Sequence, residues 1–266
     1  MKVVRTRDEV RAALVEARSE AKRIGLVPTM GAFHEGHLAL FRTAREDSEA
    51  VVASLFINPA QFGANEDLTR YPRDEARDAK LAEAAGIDIL FAPSFEEMYP
   101  AGYATWVDVE DTGAEGSARP NHFRGVATVC LKLFNIVQPQ VAYFGQKDAQ
   151  QAAVLRRMIR DLDIDLVLRV VPTVRDVDGL ALSSRNAYLS ERDRNQALAL
   201  PRALEAGRSA HAQGSDPVAA ARDALNGLEP EYVELLDLDG ITLLAAAARV
   251  GSTRLIDNIV LEGELK

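Results

Sequence analysis

The feature that most constrains this chain is a regular alternation, over its first two thirds, of short apolar runs with longer amphipathic stretches. Ile24–Thr29 (IGLVPT), Ala50–Ile57 (AVVASLFI), Ile87–Ala92 (IDILFA), Val141–Gly145 (VAYFG) and Asp165–Val174 (DLVLRVVPTV) read as strands. AVVASLFI is almost continuously apolar, the mark of a strand covered on both faces. Helical patterns separate these runs. One spans about Arg7 to Arg23, opened by a capping box from Thr6 to Glu9. Others cover Glu35 to Asp47, Arg73 to Gly86 with a terminal glycine as stop, His122 to Val137, and Ala149 to Leu162. Strands alternating with helices of this length predict βαβ units and a parallel α/β sheet.

Past about Val174 the texture changes. Ala-rich helical stretches run from Ser190 to Gln213 and from Asp216 to Asn226, and the short strands EYVELLDL and STRLIDNIVL follow. The expected division is residues 1–174, carrying the parallel sheet, and residues 175–266, a smaller α+β domain. A chain of 266 residues, 47% of them hydrophobic, is long enough to bury a core of this kind. Its formal net charge of −9 argues against nucleic-acid binding, which needs a basic surface, but leaves room for an anionic ligand held by local cations. The single cysteine, Cys130 in the apolar stretch TVCLKLF, provides no internal disulfide or multi-cysteine zinc site and reads as packing. There is neither a leading basic-then-apolar segment nor an apolar run of about 18 residues, so no membrane span is expected and a soluble cytoplasmic protein is.

In a parallel sheet of this kind ligands bind beyond the carboxyl ends of the strands, which directs attention to the loops after Thr29, Ile57 and Phe144. The first holds PTMGAFHEGH, Pro28 to His37. Gly31 and Gly36 permit tight turns, and His34 and His37, three apart, share one face at a helix start. Beside free helix N–H groups they suit a phosphate and charge developing at the α-phosphorus of a triphosphate. A zinc site is the plainer alternative, disfavoured because the ligands of a HExxH helix sit four apart; a surface pair is another. The second loop, Asn58 to Asp74, offers the Asn58 and Gln61 amides to a small polar substrate, with Pro59 stiffening it, or is a polar connector. In ARPNHFRGV, Arg119, His122 and Arg124 crowd a helix start that ordinarily prefers acids, which hints at an anion or else is a solvated basic turn. YFGQKDAQQ places Lys147 after a strand and a glycine, with Asp148 as ribose contact or plain helix cap, and Gln151 beyond it. VRDVDGLALSSRN brings Ser183, Ser184 and Arg185 together, suited to phosphates or simply a polar hairpin tip. His211, in the Ala-rich helix, reads as a solvated surface residue.

Taken in order, PTMGAFHEGH, NPAQF, EDLTRYPR, RPNHFRGV, KLFNIVQP, YFGQKDAQQ and GLALSSRN resemble the motifs of the pantothenate synthetase (pantoate–β-alanine ligase) family, within the HxGH nucleotidyltransferases. The resemblance runs from about Val27 to Leu189 and continues weakly into the C-terminal domain. Leu182 stands where a methionine is common and Asn121 at a variable position, and neither departure removes a polar group. The resemblance implies a Rossmann-like sheet with helices on both faces, a lid-like C-terminal domain and a homodimer. It also implies condensation of pantoate with β-alanine, driven by ATP with Mg2+ through a pantoyl adenylate. Carried over by position, His34, Gly36 and His37 meet the ATP phosphates, His37 nearest the α-phosphate. Met30, through its backbone, and Gln61 hold pantoate, with Gln151 on its other side. Lys147 reaches the α-phosphate, and Ser183, Ser184 and Arg185 the β- and γ-phosphates. Gly145 and Asp148 lie at the ribose, Val174 at the adenine, and Asp78 is a candidate near magnesium. Three rivals differ in product or partner. A related cytidylyl- or adenylyltransferase would release no AMP. A regulatory nucleotide-binding module would bind ATP without turnover. A tRNA-directed adenylating enzyme would need a basic domain.

Overall fold

A computed structural model describes residues 1–64, 66–110, 113–225, 227–238 and 240–264. The chain begins β1 (Lys2–Val4), α1 (Arg7–Ala13), α2 (Val15–Ser19), β2 (Ile24–Thr29), α3 (Glu35–Asp47) and β3 (Ala50–Leu55). It continues α4 (Glu75–Ala84), β4 (Ile89–Phe91), α5 (Phe95–Met98), α6 (Gly113–Ala118), α7 (His122–Val137), β5 (Val141–Gly145), α8 (Ala149–Asp161) and β6 (Val167–Val171). The remainder is α9 (Glu191–Ala197), α10 (Ala199–Ala212), α11 (Pro217–Ala224), β7 (Pro230–Asp237), β8 (Thr242–Val250) and β9 (Thr253–Glu262).

The first six strands form one sheet in the order β1-β4-β3-β2-β5-β6, and every neighbouring pair is parallel. Side chains alternate between its faces, as strand geometry requires. Leu26, Val52, Ala142 and Phe144 pack with Val10 and Leu14 near α1, with α7 and with Leu155 of α8. Val27, Val51, Ala53 and Tyr143 pack on the opposite side with Leu40 and Phe41 of α3 and Ala82 of α4. Helices therefore cover both faces, and the apolar strand runs follow from that double burial. The strand order reverses between β2 and β5, so the loops after these strands open onto a shared crevice.

A separate antiparallel sheet, β7-β8-β9, carries α10 and α11 on one side. β8 is a strand that the sequence reading did not anticipate. Its run TLLAAAARV favours helix by local propensity, yet it lies between two partner strands and is buried along nearly its whole length. Leu244, Ala246 and Ala248 face α10 and α11, and Leu243 faces Ala149 at the start of α8. Two long helices are also broken. The first breaks at Leu14, which closes α1 and opens α2. The stretch Ser190 to Gln213 breaks at Leu198, where Pro201 cannot donate to the carbonyl of Ala197. Asn226, the expected end of the last helix, lies outside the described residues, as does Asn65 in the loop after β3. Among the described residues no helix is long and apolar enough to cross a membrane.

Candidate active site

The crevice at the strand reversal is a cleft that gathers nearly every residue singled out above. The β2–α3 loop contributes Met30, His34, Gly36 and His37, and the turn after β3 contributes Gln61. The segment after β5 brings Gly145, Lys147, Asp148 and Gln151; Val174 follows β6, and Ser183, Ser184 and Arg185 close the rim.

The β2–α3 loop is built around a reversal at Gly31 (φ 85°) and Ala32 (φ 54°). Asp78 of α4 holds it: its two carboxylate oxygens accept from the backbone N–H of Ala32 at 2.7 Å and of Phe33 at 2.8 Å. Asp78 is 1% exposed. Both oxygens are thus engaged by the loop and the group does not line the cleft, although the sequence places Asp78 as a candidate near magnesium. Among the described residues no group of three or more His, Cys, Asp or Glu side chains could hold a metal ion.

His34 caps α3, and its Nδ1 accepts from the N–H of Gly36 at 3.2 Å; His37 Nδ1 reciprocally accepts from the N–H of His34 at 3.4 Å. Two imidazoles here do the work that Ser and Glu do in an ordinary capping box. Both Nδ1 lone pairs are thereby occupied, so each neutral ring carries its proton on Nε2 and keeps that donor free. Burial, reinforced by Lys147, lowers His34 to about 4, and burial with His34 beside it lowers His37 to about 3. Near neutral pH the pair is therefore uncharged and supplies two N–H donors at a helix N-terminus.

Gln61 is fixed from several directions. Asn58, 1% exposed, donates from Nδ2 to Gln61 Oε1 at 3.2 Å and to the carbonyl of Gly125 at 3.1 Å, and its Oδ1 accepts from Tyr99 at 2.9 Å. Gln61 Nε2 in turn contacts Met30 Sδ at 3.1 Å. His122 has the opposite tautomer to the other pair. Its Nδ1–H donates to the Gln61 carbonyl at 2.8 Å, while Nε2 accepts from Arg119 at 3.0 Å. Arg119 is bound by Glu66, with contacts of 2.8 and 2.6 Å, and approaches Glu115 at 3.4 Å. The basic cluster, which the sequence leaves open between an anion site and a solvated turn, is internally neutralised, with Arg124 paired to Asp108 at 3.5 Å; contacts of Arg119 and His122 hold the Gln61 turn.

Lys147 sits in the turn after β5, near Asp148 at 3.3 Å. Arg185 forks onto Asp67, Nε to Oδ2 at 2.9 Å and Nη2 to Oδ1 at 2.8 Å, and Ser184 Oγ donates to the Tyr71 hydroxyl at 3.1 Å. Asp67 and Tyr71 went unassigned in the sequence although both lie in EDLTRYPR, a motif matched there without residue roles. Phe62 and Thr173 also line the cleft, and the buried Thr173 hydroxyl has no hydrogen-bond partner in the protein. Val126, Val129, Cys130 and Leu133 of α7 form an apolar wall.

A doubly covered parallel sheet with helix-start donors and a lysine facing the switch-point cleft defines a nucleotide-binding α/β enzyme. Comparison with known proteins makes this specific. The chain belongs to the pantoate–β-alanine ligase family, whose profile matches residues 2–260. It is 52% identical to the pantothenate synthetase of Pelotomaculum thermopropionicum over 279 residues, covering 98% of this chain and 99% of that one. The crystal structure of pantothenate synthetase from Thermus thermophilus superposes with a TM-score of 0.93 at 46% identity, covering 99% of this chain and all (100%) of that one. That of the Francisella tularensis pantoate–β-alanine ligase, complexed with β,γ ATP and β-alanine, gives 0.85 at 31% identity, with 99% of each chain covered.

Proposed function

We propose that the cleft condenses pantoate with β-alanine at the expense of ATP, releasing AMP and pyrophosphate. The observation that carries this reading is that one cleft is lined by two neutral histidines at the start of α3, Lys147, an apolar wall on α7 and the Gln61 and Gln151 amides. The wall on α7 suits a branched carbon skeleton, and the amides suit its hydroxyl and carboxylate groups.

In the first step a pantoate carboxylate oxygen attacks the α-phosphorus. The bond from that phosphorus to the bridging oxygen breaks, and pyrophosphate leaves. The carboxylate is already ionised near neutrality, so no strong base is needed, and catalysis is positioning with charge stabilisation. His34, Gly36 and His37 meet the phosphates through N–H donors, Lys147 meets the α-phosphate, and Ser183, Ser184 and Arg185 take the β- and γ-phosphates. Gly145 and Asp148 lie at the ribose, and Val174 with Thr173 at the adenine. Met30, Gln61 and Gln151 hold pantoate. Magnesium enters with ATP as part of that substrate. In the second step the uncharged amine of β-alanine attacks the acyl carbon, the carbon–oxygen bond to AMP breaks, and the nitrogen loses a proton to solvent. The domains divide near Val174, the second closing over the cleft to exclude water from the acyl adenylate. The working form is a cytoplasmic homodimer.

Purified protein given Mg-ATP, pantoate and β-alanine should form AMP and pantothenate in equal amounts, only with all three substrates present. ATP binding without turnover would overturn the assignment. Lys147→Ala should keep its fold and lose ~100-fold or more in rate. Near-wild-type turnover by that variant would remove Lys147 from the mechanism.

A further inference from the structure

The RLIDN segment of β9 was legible in sequence only as a strand, yet it places two polar residues, Asp257 and Asn258, in nearly full burial at 2% and 3% exposure. Consecutive strand residues point to opposite faces, and here each face meets a different wall of the cleft. Asn258 Nδ2 donates to the carbonyls of Gln146 at 2.9 Å and Lys147 at 3.0 Å, and its Oδ1 accepts from Gln146 Nε2 at 3.2 Å. Asp257 accepts a two-pronged contact from Arg175, at 2.6 and 3.0 Å. Arg175 pairs with Ala181 across the short hairpin that leads into Ser183, Ser184 and Arg185.

We infer that Asn258 is a positioning residue for Lys147, and that with Asp257 it locks the lysine turn and the serine–arginine hairpin into one register. The inference rests on the phosphate roles assigned above. Lys147 lies in a short 3-10 turn, Gln146–Asp148, a hydrogen-bond geometry poorer than that of an α-helix, so contacts from outside the turn matter to its orientation. An amide that spans two successive carbonyls and also accepts from the side chain of the same turn fixes the backbone from which the lysine projects. The side chain comes from the antiparallel sheet, so the second sheet sets the geometry of a group carried by the first. Arg175 performs the matching task for the hairpin, since its guanidinium also donates to the carbonyl of Gly179 at 3.1 Å and to that of Asn258 at 3.4 Å.

The test is pantoate-dependent ATP–pyrophosphate exchange, read beside thermal melting. Asn258→Ala should lower kcat for exchange ~10- to 100-fold, the scale for a displaced reacting group, with the KM for pantoate unchanged. Gln146→Ala removes the one side-chain bond from the turn to Asn258 and leaves both carbonyl bonds, so it should show the same split in weaker form if Asn258→Ala fails to fold. The decisive readout is the double variant with Lys147→Ala. If Asn258 acts through Lys147, the double variant exchanges as slowly as Lys147→Ala alone. Effects that multiply, or wild-type kcat in both Asn258→Ala and Gln146→Ala, would overturn the inference while leaving the functional reading intact. An undiminished Lys147→Ala would overturn the inference and the role given to Lys147, but not the reaction itself.

Discussion

Asp78→Asn separates a loop anchor from a metal ligand. The side chains are isosteric, so no cavity is made and no bulk is added. The carboxylate now accepts one backbone N–H on each oxygen, Ala32 at 2.7 Å and Phe33 at 2.8 Å, in a site 1% exposed. An asparagine keeps one acceptor and turns its NH2 toward the other N–H. One buried donor then goes unsatisfied, at about 1–3 kcal/mol, and the surviving bond loses its charge assistance, about another 1 kcal/mol. The expected loss is about 2–4 kcal/mol. In a chain of this length that lowers Tm by roughly 5–15 °C. Because the loop also carries Met30 and delivers His34, exchange should slow in the folded variant at low temperature. The assay is a thermal melt followed by exchange kinetics across a magnesium titration. An unchanged Tm with a weakened magnesium requirement would refute the reasoning and return Asp78 to the metal. Gly31→Ala gives a companion check, since a Cβ there would sit 2.9 Å from Asp78 Oδ2 on a backbone at φ 85°.

Three further outcomes follow from the site. His34 and His122 are lowered to about 4 and His37 to about 3, burial being the largest cause for each, whereas the unfolded chain takes up these protons near 6.5. Stability is then complete above pH 6.5 and falls as pH drops toward 4, by about 1 kcal/mol per histidine at pH 5.5. Urea unfolding that is flat between pH 7.5 and 5.5 would contradict this. Asp67→Asn should weaken the hold on Arg185 and lower both the KM for ATP and the inhibition constant of pyrophosphate severalfold; unchanged constants would mean that Asp67 does not compete with phosphate. Gly125→Ala would place a Cβ 2.3 Å from the carbonyl oxygen of Ala60, forcing the Gln61 turn outward. A stability loss of about 1–3 kcal/mol and a raised KM for pantoate are expected, and an unaltered KM would show that the turn does not hold the substrate.

What the sequence made legible were the elements with local signals. α3, α7, β2 and β5 have the bounds that their helical periodicity and apolar runs predict. β1 was missed because three residues carry no periodicity, and β8 because an alanine run favours helix unless partner strands claim it. The cleft was legible for a related reason: most of its polar residues lie on loops directly after strands. Contacts between distant segments were not. The basic look of Arg119 and His122 concealed a pairing with Glu66, 53 residues from Arg119, and with the Gln61 carbonyl, 61 residues from His122. The support that Asn258 gives to Lys147 spans 111 residues and two sheets. No spacing rule reaches that far, because the contact exists only after both sheets have formed.

Those long-range pairings bear on how the site handles charge. ATP is strongly anionic, and a cleft of free cations would bind it tightly but would bind departing pyrophosphate just as tightly. Here Arg119 and Arg185 are held by Glu66 and Asp67, adjacent carboxylates of one loop. On the proposed roles, ATP must exchange partners with Asp67 to engage Arg185, and Asp67 recovers the guanidinium when pyrophosphate leaves. The exchange reduces ground-state affinity and favours product release. The neutral histidines work in the same direction. An imidazolium pair would attract every anion alike, whereas on the proposed roles N–H donors fixed by their own helix start would form bonds that strengthen as charge builds on the α-phosphate oxygens. On the proposed roles an acidic chain would stabilise charge developing on the α-phosphate, because its donors are oriented before ligand arrives and Arg119 and Arg185 are already paired.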